Sequence, residues 1–168
     1  APQLPFIHTV SPWASVCLNL APDHVDHFGD FDRYTKAKAR IYERTQYAAV
    51  YNGHDEATIS MVEAADVIEG CRAIGFTRGI PALSELGVVD NALVDRAFIA
   101  NRMDYAQELA LVSDIHPAAE HNTENALAAA AVARAFGTLD SPDLNRVSPT
   151  AVQLGFRNFA PAPHRNAV

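Results

Sequence analysis

The first apolar run of the chain, WASVCLNL (13–20), is short, unbroken and β-prone, and Pro22 stops it. That pattern predicts a buried strand. The period then changes. In GDFDRYTKAKARIYERTQ, Phe31, Tyr34, Ala37 or Lys38, and Ile41 recur at helical spacing behind Asp30, a residue suited to capping. YAAVYN (47–52) predicts a second strand, closed by Asn52-Gly53. DEATISMVEAA predicts a helix with Asp55 and Glu56 at its positive end, and CRAIGFT a third strand.

Strand, helix, strand, helix, strand predicts an α/β fold: a three-layer, mostly parallel sheet flanked by helices. The middle of the chain departs from this rhythm. GVVDNALVDRAFI and ELALVSDI (108–115) predict short strands joined by turns, an antiparallel extension of the sheet. HNTENALAAAAVARAFG (121–137) is alanine-rich and predicts a long buried helix ending at glycine. VSPTAVQLGFRNF predicts a short helix with Ser148 as cap and Pro149 at its first position. APAPHRNAV reads as a proline-rich linker, so the expected organisation is one domain over 1–157 and a linker over 158–168.

Composition narrows the function. With 168 residues, 49% of them apolar, the chain is long enough for one compact domain with a real core. Its formal net charge of -7 argues against nucleic acid and anionic membranes as partners, since both select basic surfaces. No run approaches the roughly 18–20 apolar residues of a membrane span. APQLPFIHTV has no basic stretch followed by an apolar one, so no signal peptide is expected. The two cysteines, Cys17 and Cys71, share no spacing motif and read as reduced thiols, consistent with a cytoplasmic protein. Neither reads as a nucleophile; burial would raise the pKa of Cys17.

Chemistry concentrates directly behind the first strand, in PDHVDHFGDFDRYTKAKARIY (22–42). Ligands in open parallel sheets bind beyond the carboxyl ends of strands, and Asp23, His24, Asp26 and His27 stand there. The plain alternative is a polar loop whose aspartates cap turns. Three chemical readings stay open on spacing alone. His24, Asp26 and His27 could bind a transition metal as in a hydrolase. They could act as general acid and base, or one histidine could join a magnesium site completed from elsewhere.

LNLAPDHVDHFGDFDRYTKAKARIY (18–42) resembles the central-domain signature of the Mur ligases, which add amino acids to the peptidoglycan peptide. HNTENALAAAAVA resembles the family's H-N-x-x-N-x-x-A-A motif, and APHR its closing L-P-H-R. The last two favour the branch that adds D-glutamate. The resemblance implies an ATP-dependent amide ligase working through an acyl phosphate, with Mg2+ and ATP, on UDP-N-acetylmuramoyl-L-alanine and D-glutamate. It implies that His24 contacts magnesium and substrate, and that Lys38 becomes N6-carboxylysine. A carbamate explains a lysine in such a place, because an ammonium cannot ligate magnesium and a carbamate can. Lys36, off the inward helix face, reads as solvated. Asn122 and Asn125 are implied at the ATP adenine; helix capping is their plainer reading. Arg165 is implied at the ATP phosphates, with His164 orienting or structural.

No G-x-x-x-x-G-K-[ST] phosphate loop occurs in the 168 residues. The expectation is therefore part of a longer ligase, inactive alone and prone to self-association through an unpaired strand edge. A metal-dependent hydrolase built on His24, Asp26 and His27, or a non-catalytic binding module, are the rival expectations.

Overall fold

The computed structural model describes residues 3–6, 8–21, 29–136 and 147–160. The architecture is mixed α/β, with six strands in the order β1-β2-β3-β4-β5-β6. The chain divides into two compact units, residues 1–75 and 76–168.

In the first unit, β1 (Ala14–Cys17) pairs in parallel with β2 (Ala48–Asn52), Val16 facing Val50. Helix α1 (Phe31–Ala39) connects them, and its cap is Asp30, whose carboxylate accepts from the Arg33 backbone N–H at 2.8 Å. A single 3-10 turn, Arg40–Tyr42, follows. α2 (Glu56–Glu63) leads on to β3 (Arg72–Phe76). Cys17, Tyr42, Ala49 and Met61 form the buried cluster between these elements. Tyr42 is fully buried, and its hydroxyl donates to the Val50 carbonyl at 2.7 Å while accepting from the Cys17 N–H at 3.3 Å. One phenol thus bridges the end of β1 and the middle of β2. Burial pushes that phenol well above its ordinary pKa. A second buried bridge joins the Ser15 and Thr45 hydroxyls at 2.8 Å.

β1 is shorter than the apolar run 13–20 predicts. Its ladder stops at Cys17 because Leu18, Asn19 and Leu20 turn their backbone groups to side chains instead.

In the second unit, β4 (Glu85–Val89) and β5 (Ala92–Asp95) form an antiparallel hairpin. Asp90 and Asn91 at its tip both have positive φ, 48° and 62°. Two left-handed residues are what a tight hairpin requires, and Asp and Asn tolerate them best after glycine. β6 (Gln107–Leu111) adds antiparallel to β5 with a bulge between Leu93 and Val94. The strand predicted over 108–115 ends at Leu111. There the Asp114 carboxylate accepts from the Leu111 N–H at 3.0 Å and closes a 3-10 turn over Val112–Asp114. α3 (Glu120–Ala135) buries Thr123, Ala126, Leu127, Ala130 and Ala131 on one face. α4 (Pro149–Asn158) starts as its sequence predicts, with Ser148 Oγ accepting from the Ala151 N–H at 3.1 Å.

Two charge pairs hold these helices. Asp95 is fully buried; its carboxylate accepts from the N–H groups of Ala97 and Phe98 and from Arg134 Nε at 3.0 Å. Arg134 also donates to the Val147 carbonyl at 2.6 Å, which ties α3 to the residues before α4. Asp114 accepts from Arg157 Nε at 2.8 Å and Gln153 Nε2 at 3.2 Å, which ties α4 to the end of β6.

Replacing Arg134 by Met leaves the Asp95 carboxylate buried without its counter-charge. Breaking such a pair from one side costs about 3–5 kcal/mol. Urea denaturation should register a loss of that size; a loss below about 1 kcal/mol, the scale of an exposed ion pair, would contradict the buried-pair assignment.

Candidate functional site

The sequence-predicted cluster follows β1 along the chain, and the residues between β1 and that cluster are held by three side chains from three elements. Asn52, buried at the end of β2, donates from Nδ2 to the Leu18 carbonyl at 3.1 Å and accepts at Oδ1 from the His54 N–H at 2.9 Å. Lys38, in the last turn of α1, donates from Nζ to the Asn19 carbonyl at 2.9 Å. Asp55 accepts from the Leu20 N–H at 2.8 Å. The same Asp55 caps α2, accepting from the N–H groups of Ala57 and Thr58 at 3.0 and 3.1 Å. Thr58 closes the arrangement by donating to the Asn52 carbonyl and accepting from its N–H.

Lys38 is half-buried, with Nζ 5.4 Å from the centre of the Tyr34 ring, one helical turn earlier. Lys36 is exposed. Lys38 lines a cavity of about 270 Å³ together with Leu4, Val16, Cys17, Leu18, Asn19 and Ile41. Its surroundings, a carbonyl and an aromatic face, attract an ammonium. The Cys17 thiol in the same cavity is pushed up by burial, with the nearby Lys38 charge acting in the opposite sense. Both cysteines are free. His24, with Asp23, Asp26 and His27, lies outside the described residues, as do His164 and Arg165. Among the described residues no three His, Cys, Asp or Glu side chains come together as a metal site.

Asn122 and Asn125 lie in the first turns of α3 and line one larger cavity, about 470 Å³, between α3 and α4. Its walls are mostly apolar: Ala126, Ala129, Ala130, Ala133, Val152, Phe156 and Phe159. Neither asparagine caps the helix, whose first residue follows Ala119. Asn122 reaches back instead, donating from Nδ2 to the Pro117 carbonyl at 2.7 Å. The cavity has the size and apolar character of a small-molecule site with a few polar groups at its mouth.

The sequence pattern of the Mur ligase middle domain matches residues 3–133. The chain belongs to the Mur ligase family. It is 52% identical over 165 residues to the UDP-N-acetylmuramoylalanine--D-glutamate ligase of Streptomyces avermitilis, covering 98% of this chain and 33% of that protein. The enzyme of the same name from Thermobifida fusca is 43% identical over 165 residues, again 98% of this chain and 33% of the relative. The chain thus spans about a third of the length of these curated relatives. MurF from Acinetobacter baumannii shares the fold, with a TM-score of 0.60 at 21% identity over 91% of this chain and 30% of that one.

Within this Mur ligase chain, sequence reasoning passed over Asn52 as a strand terminator and Asp55 as a helix cap. Both do more, since they fix the residues that lead into the His24 segment. An Asn-Gly and an Asp three residues later are ordinary turn and cap signals, so only the fold shows that they face the exit of β1.

Asp55→Ala removes a helix cap and a half-buried partner of Leu20 together. Each is worth about 1 kcal/mol, so a stability loss of roughly 2 kcal/mol is expected in denaturant titration. An unchanged midpoint would show that Asp55 anchors nothing.

The α4 wall of the second cavity should respond to acid. The hydrogen bond from Arg157, then that from the Leu111 N–H, hold the Asp114 carboxyl below its ordinary value of 3.8. A depressed folded pKa means the stabilisation is complete above the ordinary value and disappears as pH falls through the folded one. The stability gap between the native chain and Asp114→Asn should be constant above about pH 5 and close towards pH 2. A gap that widens on acidification would reverse the sign.

Proposed function

We propose that this chain is the central part of an ATP-dependent ligase that joins D-glutamate to UDP-N-acetylmuramoyl-L-alanine in the cytoplasm. The observation that carries the reading is a lysine held at the carboxyl end of β1, in a cavity beside the exit strand, by residues of a Mur ligase chain. The names of the similar proteins supply the amino acid and its acceptor. Residues 1–157 are read as central domain and 158–168 as linker.

The reaction asks little covalent chemistry of the protein. The substrate carboxylate takes the γ-phosphoryl group of ATP, giving an acyl phosphate, and the amine of D-glutamate displaces phosphate to form the amide. The protein must hold two anions in line and offset their charge. His24 and Lys38 are the residues proposed to hold magnesium, which when bound neutralises charge on the transferring phosphoryl oxygens. The donor chemistry fits on one condition. As an ammonium, Lys38 repels a cation; as a carbamate it offers the hard oxygen that magnesium prefers. A long side chain next to an open cavity has room for that group, and the Asn19 carbonyl fixes where its tip stands. Asn122, Asn125 and Arg165 are proposed at the ATP site, Asn125 at the adenine, Asn122 in its surroundings and Arg165 at the phosphates. The apolar cavity under the two asparagines suits a flat heteroaromatic ring.

The 168 residues lack a phosphate-cradling loop, so alone they should neither hydrolyse ATP nor form the amide. β1 stands first in the strand order, and its outer edge should make the isolated chain self-associate. In the full-length protein, Lys38→Arg keeps the positive charge and cannot be carbamylated. Ligase activity, read as phosphate release dependent on D-glutamate and UDP-N-acetylmuramoyl-L-alanine, should fall by about 100-fold or more, the scale of a lost electrostatic contact to the reacting centre. Full activity in that variant, or release driven equally well by another amino acid, would sink the proposal.

A further inference from the structure

Two polar side chains line the α3–α4 cavity without a partner among the described residues, and a third that lines it is tied to the loop before α3. His116 and Asn125 line the cavity and make no side-chain hydrogen bond with any described residue. Asn122 lines it too, and one of its two Nδ2–H groups is held by the Pro117 carbonyl at 2.7 Å. Its backbone N–H closes the same loop from the other side by donating to the Ala119 carbonyl at 3.0 Å. Asn122 therefore clasps residues 117–119 against the start of α3, and His116 is carried at the head of that loop.

From this we infer that Asn122 is a positioning residue that sets His116 at the cavity mouth, and that His116 is a further binding residue packing its ring against the adenine of ATP. The inference rests on the proposed ATP reading of this cavity. A carboxamide with both donor and acceptor free, as in Asn125, matches the N6–H and N7 edge of adenine. An imidazole beside an otherwise apolar wall supplies a flat face, and base-on-ring stacking is the usual way such a face binds a purine. The paired asparagines of α3 consequently divide their work: Asn125 presents its amide to the ligand, and Asn122 works through the loop.

The division is tested in the full-length protein by ATP titration of ligase activity for His116→Ala, Asn122→Ala, their double variant and Asn125→Ala. His116→Ala should raise the KM for ATP about tenfold with kcat little changed, within the range that stacking of one base carries. Asn122→Ala should do the same to a smaller extent. The decisive readout is the double variant. If Asn122 acts through His116, the double variant is no worse than His116→Ala, whereas two independent contributions would add. His116→Phe should retain most of the affinity, because it keeps a ring at that place. Additive effects, or a His116→Ala variant with an unchanged KM while Asn125→Ala raises it, would overturn this inference and leave the ATP reading intact. If no variant, Asn125→Ala included, changes the ATP dependence, the ATP reading of the cavity itself is wrong.

Discussion

A parallel strand that ends at a site must leave its last carbonyl and N–H groups somewhere, and in the first unit of this chain they go to side chains. After Cys17 the ladder gives out, and Leu18, Asn19 and Leu20 are satisfied in turn by Asn52, Lys38 and Asp55. Unpaired backbone groups there would cost about 1–3 kcal/mol each if buried. The partners come from β2, α1 and the cap of α2, so the exit of β1 is fixed only when all three elements are in place. Tyr42 adds a fourth tie one residue earlier, bridging Cys17 and Val50. The three residues after Cys17 are thus held by neighbouring elements and not by the ladder.

The second unit solves a different problem with charge. α4 is short and amphipathic, and Val152 is its buried anchor residue. Arg157 with Asp114, and Arg134 with Asp95 and the Val147 carbonyl, set where it lies against α3 and β6. Alanines along α3 leave space between the helices instead of filling it, which is why a cavity opens there. A larger residue at Ala129 or Ala133 would close it.

Much of this was legible beforehand. Asp30, Asp55 and Ser148 announced their helices because capping is local chemistry. The alternation of helix and strand, and its loss in the middle of the chain, placed the parallel and antiparallel parts. What failed to show were ends decided at long range. The apolar run 13–20 looked like eight residues of strand, yet side chains more than thirty residues away take over at Leu18 and Leu20. Likewise Asp114, Gln153 and Arg157 bring a 3-10 turn into what alternation read as strand. Lys38 stood out by its helical spacing from Tyr34 and by motif, whereas Asn52 and Asp55 carried no mark beyond turn and cap. The plainer reading of Asn122 as a cap fails for the same reason, since its side chain reaches the Pro117 carbonyl, a contact visible only in the fold.

The central claim is that the exit of β1 is locked by side chains from neighbouring elements. Native-state hydrogen exchange at the Leu20 amide tests it most directly, because that N–H lies beyond the ladder and donates to the Asp55 carboxylate. The account predicts that Leu20 exchanges as slowly as the strand amide of Val16, and that Asp55→Ala brings it to the rate of an open loop while Val16 stays protected. A Leu20 amide that exchanges freely in the unaltered protein would contradict the account.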